Sequence, residues 1–391
     1  MALVNVGTYP PKQCGIASFS KDLRDNLVAA GEDVKVIAVS DSAYSYVYPP
    51  EVFYKIRQEK KADYIEAAKI VNCNPNIRAV VIQHEYGIFG GTDGEYILKF
   101  TFHLRKPFIL VTHTVLPRPS SSQKSILSRL GQKAAAVVCM TRRSAGLLTR
   151  VYGVAPEKIA LIHHGVPVFE EKDRDELKRK YGLEGRKVIT TFGLIGPGKG
   201  LENGLLALAR IIDKHPDVLY LIAGETHPML LKREGDRYRH MLMRMVVEHG
   251  LENHVKFVNR FLELDELGDY LYMTDLYLSP YPNRDQAVSG TLSYAVGCGR
   301  AVVATPYEHA LELLSDGKGL IAREIDPEEI AGLMDRVLSD DKLRRDMEAR
   351  TREFGKSIEW PRIAKQYIKV ADQITGTSQQ VSDSERVGHG L

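Results

Sequence analysis

The sequence predicts an α/β protein made of two doubly wound domains, each a parallel sheet with helices on both faces. Short runs of consecutive apolar residues recur along the chain, which is typical of strands buried on both faces. Stretches with helical spacing separate these runs, and the alternation starts again after a charged segment. A chain of 391 residues is long enough for two such domains.

The first series of strands predicts a domain over residues 1–166. Its strand candidates are LVNVGTY (3–9), DVKVIAVS (33–40), AVVIQHE (79–85), FILVTHT (108–114), AAVVCM (135–140) and KIALIHH (158–164). Helix candidates such as DYIEAAKIV and SAGLLTRVY lie between them.

The second series predicts a domain over residues 167–350, which opens with a charged linker and one short helix. Its strand candidates are VITTFG (188–193), LYLIAGE (219–225), HVKFVN (254–259), DLYLSPY (275–281) and AVVATP (301–306). An amphipathic helix is predicted over about 358–374, where Ile363, Tyr367 and Val370 share a face. The polar residues 376–391 are predicted to be a disordered tail.

Composition excludes several classes of function. Lys and Arg total 53 against 50 Asp and Glu, so the small net charge of +3 does not suggest a nucleic-acid partner. No apolar run approaches the ~18 residues of a membrane span, which predicts no transmembrane segment. The four cysteines form no C-x-x-C pair, so a disulfide framework or cysteine-type zinc site is not expected. A cytoplasmic location is the resulting expectation.

A glycine loop follows the first strand, in TYPPKQCGIASFSKDL. Two prolines end the strand, and Gly15 is expected to allow positive φ and close backbone approach. Ile16, Phe19 and Leu23 then share one helical face. The pattern predicts strand, loop and helix, and amides at such a helix start favour an anion. An ordinary tight turn is the alternative.

Polar side chains also follow other strands. His84 and Glu85 end the third, His113 ends the fourth, and Glu225 follows a strand of the second series. Ligands of open parallel sheets bind beyond the carboxyl ends of the strands. Each histidine alone is compatible with a structural hydrogen bond, but two in equivalent positions favour a polar cleft. Their spacing is not that of a metal-binding H-E-x-x-H motif.

The stretch FGLIGPGKG (192–200) brings Gly198 and Lys199 to the start of a helix. It nearly spells a phosphate-binding P-loop, but Gly200 stands where such a loop needs Ser or Thr for Mg²⁺. The lysine and the free amides still suit a phosphate group, and we interpret the ligand of this loop as a diphosphate. The alternative is a glycine turn with a solvated lysine.

A second helix start follows the strand DLYLSPY. Asp285 and Gln286 precede Ser289, Gly290 and Thr291. This triplet offers hydroxyl caps and free amides to an oxyanion. An ordinary capped helix fits the triplet equally well, and only its combination with the lysine loop favours phosphate.

Taken in order, these motifs resemble glycosyltransferase family 4, over about residues 3 to 370. The matching pieces are YPPKQCGIASF, THT, IHHGVP, FGLIGPGKG, DLYLSPY and GCGRAVVAT. The resemblance implies the GT-B fold, in which two Rossmann-like domains face each other across a cleft. It implies an acceptor domain first, a nucleotide-sugar donor domain second, and a C-terminal helix (351–375) that crosses back.

The resemblance also implies roles for single residues. Gly15 would bring amides to the donor phosphate or the acceptor, His113 would contact the transferring sugar, and Lys199 would bind the donor diphosphate. It implies retention of configuration, with no metal and no cofactor beyond the nucleotide-sugar substrate.

The sequence departs from the family pattern at three positions. Leu194 stands where an arginine is usual. The family's Glu-x₇-Glu pair falls on Gln286 and Tyr294, and a tyrosine cannot accept two ribose hydroxyls as a carboxylate does. Asp285 is a candidate to supply the lost charge.

The leading hypothesis is a retaining, metal-independent glycosyltransferase that uses a nucleotide sugar and a saccharide or other hydroxyl acceptor. The departures keep open a sugar phosphorylase that uses inorganic phosphate, and a nucleotide-sugar-binding protein that has lost catalysis. The sequence leaves the sugar, base, acceptor and oligomeric state open.

Overall fold

The computed structural model describes residues 1–41 and 45–376, so the predicted tail beyond Gly376 lies outside the described residues. The strands are β1 (Ala2–Gly7), β2 (Val34–Ser40), β3 (Val52–Arg57), β4 (Ile77–His84), β5 (Phe108–Thr112), β6 (Ala136–Cys139), β7 (Ile159–Leu161), β8 (Lys187–Phe192), β9 (Val218–Ala223), β10 (Val255–Val258), β11 (Leu276–Ser279), β12 (Val302–Ala304) and β13 (Leu320–Ile321). The α-helices are α1 (Gly15–Ala29), α2 (Lys61–Cys73), α3 (Ile97–His103), α4 (Ser121–Lys133), α5 (Arg142–Arg150), α6 (Arg174–Lys180), α7 (Leu201–Ala209), α8 (Pro228–Glu234), α9 (Arg237–Glu248), α10 (Leu264–Tyr272), α11 (Gly290–Gly297), α12 (Glu308–Leu313), α13 (Pro327–Ser339), α14 (Asp341–Ser357) and α15 (Trp360–Thr375).

The chain divides into two compact units. The first unit comprises Met1–Gly165 and the chain from Trp360 onward, and the second comprises Val166–Glu359. The predicted C-terminal segment 351–375 therefore contains the end of α14, in the second unit, and α15, in the first.

Each unit contains one parallel sheet. The strand order is β3-β2-β1-β4-β5-β6-β7 in the first unit and β10-β9-β8-β11-β12-β13 in the second. In both sheets the order reverses beside the unit's first strand, which is the doubly wound arrangement. The predicted fold class of two doubly wound domains is confirmed. Ligands of such sheets bind where the order reverses, beyond β1 and β4 in the first unit and beyond β8 and β11 in the second.

The predicted strands agree well with the structure, because each of the eleven apolar runs overlaps one. Two strands were missed. β3 (VFYKIR) is an edge strand that alternates between exposed and more buried residues, and β13 has only two residues. Neither contains a continuous apolar run, so the criterion that found the central strands could not find them.

The second sheet is buried on both faces. Val188 and Ile189 are neighbours on β8, yet their side chains belong to two different hydrophobic clusters. Successive side chains of a strand point to opposite faces, so this sheet has a core on each side. Its loops and helix starts at the carboxyl edge are therefore held by a rigid frame.

Helix α15 is the predicted amphipathic helix. It packs against α1 in the first unit, and Ile363, Tyr367 and Val370 are buried, as their shared face predicts. Trp360 begins the helix and lies edge-on to Phe19 of α1, with ring centroids 5.1 Å apart. The contact ties the start of α15 to the helix that follows the first glycine loop.

Candidate active site

The glycine loop after β8 is shaped by a close backbone approach. Pro197–Lys199 forms one 3₁₀ turn, and Gly200 then adopts the left-handed conformation with φ of 60° before α7 begins. A Cβ on Gly200 would lie 2.1 Å from the main-chain oxygen of Pro280. Any side chain there would clash with backbone, which explains why the Ser or Thr of a P-loop is absent.

Lys199 directs its ammonium at two hydroxyl groups of the same unit. Its Nζ donates to Tyr281 Oη at 2.6 Å and to Thr291 Oγ1 at 3.3 Å. A Cβ on Gly193 would lie 2.9 Å from the same Nζ, so the glycine at the end of β8 leaves room for the ammonium. The lysine is therefore not a solvated side chain on a turn.

The start of α11 completes this group of polar side chains. Ser289 is the N-cap, and its Oγ accepts from the main-chain N–H of Leu292 at 3.3 Å. The same Oγ donates to Tyr281 Oη at 3.2 Å, and Tyr281 Oη and Thr291 Oγ1 lie 2.7 Å apart. We call Lys199, Tyr281, Ser289 and Thr291 the lysine–hydroxyl cluster.

The cluster sits where an anion is favoured. The first amides of a helix have no intrahelical acceptor, and the helix dipole adds positive potential there. In α11 these amides include those of Gly290 and Thr291, next to the Lys199 ammonium. The structure thus brings Lys199 together with Ser289 and Thr291, the combination on which the phosphate interpretation of the sequence depends.

The charge of Lys199 also acts on Tyr281. This side chain is 5 % exposed, and burial by itself raises the pKa of its phenol. The Lys199 ammonium and the hydrogen bonds that Lys199, Ser289 and Thr291 make with the Tyr281 oxygen outweigh burial, so the pKa of Tyr281 lies below its ordinary value. Sequence reasoning missed Tyr281, because it ends an apolar run and has the pattern of a core residue.

The remaining predicted residues of the second unit have other surroundings. Gly198 lies in the 3₁₀ turn beside open space, and Asp285 is half-buried in the loop between β11 and α11. The side-chain amide of Gln286 donates to a main-chain carbonyl at 2.7 Å. The Tyr294 ring packs against two phenylalanine rings, each with its centroid 6.3 Å away. An aromatic side chain in a ring cluster thus occupies this position of the family's carboxylate pair. Glu225 follows β9, and its main-chain oxygen accepts a hydrogen bond at 2.7 Å from a main-chain N–H of the glycine loop after β8.

A buried guanidinium lies beside Glu225. Arg239 of α9 is 4 % exposed, and its Nη2 donates to the Gly224 main-chain oxygen at 2.7 Å. Its Nη1 has no hydrogen-bond partner among the described residues. Burial lowers the pKa of Arg239, while Asp236 and Glu225 oppose that shift. The helical periodicity of α9 gave no signal for this residue, which holds the loop after β9.

In the first unit, a chain of hydrogen bonds ends on His113. Gln83 Nε2 donates to Asn5 Oδ1 at 2.8 Å, so its Oε1 faces His113 and accepts from His113 Nε2 at 2.9 Å. This fixes the imidazole with its proton on Nε2 and leaves Nδ1 as an acceptor. Gln83 was missed in the sequence, where it lies inside an apolar strand.

The two histidines, His84 at the end of β4 and His113 directly after β5, follow neighbouring strands and are both buried. The main-chain N–H of His113 donates to the His84 oxygen at 3.0 Å. Burial, with smaller effects from His164 and His84, lowers the pKa of His113 to about 3, and burial lowers that of His84 to about 4. Both rings are therefore neutral near neutral pH, and neither supplies positive charge.

Two other predicted residues of this unit have clear local surroundings. The carboxylate of Glu85 accepts from the Tyr86 N–H at 2.9 Å and from the Thr114 hydroxyl at 2.5 Å. Burial raises the pKa of Glu85. Gly15 is the first residue of α1 and is not among the described glycines with positive φ, so that expectation is wrong. A Cβ there would meet nothing within 4 Å, which leaves open space over the helix start.

The described residues contain neither a metal-binding cluster of side chains nor a membrane-spanning helix. Within 1–41 and 45–376, no group of three or more His, Cys, Asp and Glu side chains is arranged to hold a metal ion. None of the helices in that part of the chain is long and apolar enough to cross a membrane.

Comparison with known proteins identifies the class. The family model described as "Glycosyltransferase Family 4" matches residues 14–168, and the one described as "Glycosyl transferases group 1" matches residues 173–354. The chain therefore belongs to glycosyltransferase family 4, a class of sugar-transferring enzymes. The resemblance inferred from the motifs is confirmed.

Curated relatives match part of the chain. A D-inositol 3-phosphate glycosyltransferase of Jonesia denitrificans is 27 % identical over 62 % of this chain and 58 % of its own. A phosphatidyl-myo-inositol mannosyltransferase of Mycolicibacterium smegmatis is 26 % identical over 52 % of this chain and 49 % of its own. An alpha-D-kanosaminyltransferase of Streptomyces kanamyceticus is 27 % identical over 55 % and 54 %. The matched segments thus span about half the length of these relatives.

Solved structures match nearly all of the chain. Anabaena Alr3699/HepE in complex with UDP has a TM-score of 0.77 and 17 % identity, covering 95 % of this chain and 100 % of that one. A glycosyltransferase from Rickettsia africae has a TM-score of 0.73 and 16 % identity, covering 95 % and 98 %. WaaG, involved in lipopolysaccharide biosynthesis, has a TM-score of 0.67 and 16 % identity, covering 96 % and 100 %. These likenesses show that the chain has the GT-B fold.

Proposed function

We propose that the protein is a retaining glycosyltransferase that moves a sugar from a nucleotide-sugar donor to a hydroxyl of a saccharide acceptor without a metal ion. The observation that carries this proposal is the lysine–hydroxyl cluster at the point where the second sheet reverses its order. That position combines a fixed ammonium with unsatisfied helix amides, which suits a diphosphate.

The cluster would act on the leaving group. As the bond between the sugar and the diphosphate breaks, the departing phosphate oxygen gains negative charge. The Lys199 ammonium and the amides of Gly290 and Thr291 would stabilise that charge in the transition state. One preorganised group of this kind is worth ~3–4 kcal/mol. The same positive charge is what a metal ion otherwise supplies to a diphosphate, which supports metal independence.

Retention would follow if the acceptor attacks from the face that the phosphate leaves. The bond from the sugar carbon to the phosphate oxygen breaks, and the bond from that carbon to the acceptor oxygen forms. The proton of the acceptor hydroxyl passes to the departing phosphate oxygen, so no carboxylate nucleophile is required.

His113 would hold a sugar hydroxyl. Its ring is neutral, and its Nδ1 accepts a hydrogen bond because Nε2 is committed to Gln83. A neutral acceptor orients a hydroxyl group without adding a charge near the anomeric carbon. We assign Gln83 the role of positioning this ring.

Known relatives support a nucleotide donor. One GT-B neighbour was solved with UDP, and another structure of the same protein contains UDP and glucose. The bound nucleotide is a property of that protein, and for this chain it makes uridine nucleotides the first donors to test.

A sugar phosphorylase is the second candidate, favoured by one observation. Tyr294 packs against two phenylalanine rings where the family has a carboxylate for the ribose. An enzyme that takes inorganic phosphate does not need that carboxylate.

A panel of nucleotide sugars crossed with simple saccharides, read by released nucleotide, tests the proposal. We expect one donor to release nucleotide in an acceptor-dependent manner with no added metal and with EDTA present. NMR of the product should show the anomeric configuration of the donor. Phosphate-dependent cleavage of a disaccharide, with no nucleotide sugar used, would replace the proposal by the phosphorylase.

A further inference from the structure

The phosphate site lacks the arginine that the family pattern places after Gly193. Leu194 occupies that position, so Lys199 is left as the cationic side chain of the cluster. A diphosphate held by one lysine would need other donors to fix the orientation of its oxygens. The structure offers hydroxyl groups at this place, and the phenol of Tyr281 is central among them.

The Tyr281 oxygen is the point on which the cluster converges. It lies 2.6 Å from Lys199 Nζ, 2.7 Å from Thr291 Oγ1 and 3.2 Å from Ser289 Oγ. Lys199 can only donate, and Ser289 donates to the same oxygen. The phenol proton is therefore directed at Thr291, whose hydroxyl is an uncharged acceptor that a phosphate oxygen could replace.

The position of this phenol is fixed by its surroundings. The Tyr281 ring stacks on the Tyr307 ring, with centroids 4.9 Å apart and planes inclined by 18°. Its main-chain oxygen accepts from Thr305 Oγ1 at 2.6 Å. Tyr281 follows β11, one of the two strands at the point of reversal. A fixed donor at that point can bind phosphate with little loss of side-chain entropy.

We propose that Tyr281 is a phosphate-binding residue of this site, whose phenol donates a hydrogen bond to the diphosphate in place of the arginine absent at Leu194. The inference rests on the proposed function and names a binding residue for it. When a diphosphate binds, Lys199 and Tyr281 both donate to its oxygens. A phosphate oxygen then replaces the Thr291 hydroxyl as the acceptor of the phenol proton.

The proposed role of Tyr281 predicts that nucleotide affinity depends on the ionisation of its phenol. A phenolate cannot donate and repels phosphate, so nucleotide affinity should fall at alkaline pH as Tyr281 loses its proton. The pKa of Tyr281 lies below that of an ordinary tyrosine, because Lys199 and the hydroxyl groups outweigh burial.

The titratable groups around Tyr281 come from several elements. They are Lys199 from the glycine loop, Tyr277 on β11, Tyr307 after β12, Tyr220 on β9, and His309 of α12, which accepts from the Ser289 N–H. All of these remain in a Tyr281→Phe protein, so the difference between its pH profile and that of the wild type isolates the phenol.

Calorimetry with UDP, GDP and ADP tests the proposal on wild type, Tyr281→Phe and a matched control. The control is Tyr220→Phe, which removes a buried phenol of the same unit that is bonded to Thr191 Oγ1 at 2.8 Å. Loss of a hydrogen bond to a charged group should weaken the preferred nucleotide about 10- to 100-fold in Tyr281→Phe. The control should bind as wild type, and the alkaline fall in affinity should flatten only in Tyr281→Phe.

A measurement on the wild type alone covers the case in which Tyr281→Phe fails to fold. Inorganic pyrophosphate does not absorb in the tyrosine region, so the ionisation of tyrosines can be followed by ultraviolet difference spectra with and without it. Bound pyrophosphate should raise the pKa of the tyrosine that titrates first. Unchanged titration at saturating pyrophosphate would overturn the proposal.

The failure of this inference differs from failure of the proposed function. If wild type binds a nucleotide and transfers sugar while Tyr281→Phe binds as tightly or more tightly, Tyr281 competes for Lys199 and the inference alone is wrong. If wild type binds none of the three nucleotides and releases none from any donor, both are wrong.

Discussion

Replacing Lys199 by methionine removes the ammonium but keeps most of the length and volume of the side chain. An ammonium ~4 Å from a phosphate charge contributes about 4 kcal/mol at the effective dielectric constant of a protein surface. Lys199 Nζ already sits 2.6 Å from Tyr281 Oη and 3.3 Å from Thr291 Oγ1, so it needs little rearrangement to reach an oxyanion there. Since the leaving phosphate gains charge only as the bond breaks, we expect kcat to fall about 10²- to 10³-fold.

The assay is the initial rate of nucleotide release from the donor found in the panel, at saturating donor and acceptor. Lys214→Met is the matched control, because that lysine is exposed and paired with Asp335 at 2.6 Å. The control should retain wild-type kcat, and both variants should melt within a few degrees of wild type. A Lys199→Met protein whose kcat is within about twofold of wild type would refute the reasoning, because twofold is less than ~0.5 kcal/mol.

Three further predictions follow from the same structure. Gln83→Glu places a carboxylate at 2.9 Å from His113 Nε2 and should raise the pKa of that imidazole. In a pH–rate profile, the acidic loss of transfer activity should therefore begin at a higher pH in the variant than in wild type. Gly200→Ala places a methyl group 2.1 Å from a carbonyl oxygen, on a residue with φ of 60°. The free energy of unfolding, measured with denaturant, should therefore fall by at least ~2 kcal/mol. An unchanged unfolding midpoint would contradict this backbone conformation. Burial lowers the pKa of His84, His113 and His164 to about 4, 3 and 4. The unfolded chain binds these protons at higher pH, so the free energy of unfolding of the first unit should decrease as pH falls from about 6.5 towards 3. A free energy of unfolding that does not change over that range would contradict the buried neutral rings.

The central strands and the phosphate loop could be predicted from sequence because their signals are local. A strand buried on both faces is a continuous apolar run, and the lysine between glycines needs no long-range contact to be recognised. The edge strand β3 gave no such signal, because half of its residues are exposed.

The missed site residues depend on contacts across the sequence. Tyr281 looked like the end of an apolar strand, and its role appears only because the fold brings Lys199, 82 positions away, to its hydroxyl. Gln83 likewise sits inside a buried strand, and only the fold shows its amide between Asn5 and His113. Polar groups inside apolar runs are therefore the residues that sequence patterns rank too low.

A structure of the protein with the best-binding nucleoside diphosphate tests the central claim most directly. The account predicts a phosphate oxygen within hydrogen-bond distance of Lys199 Nζ, with the amides at the start of α11 contacting the same diphosphate. Phosphates bound elsewhere on the chain, with the Lys199 ammonium still held only by Tyr281 and Thr291, would contradict it.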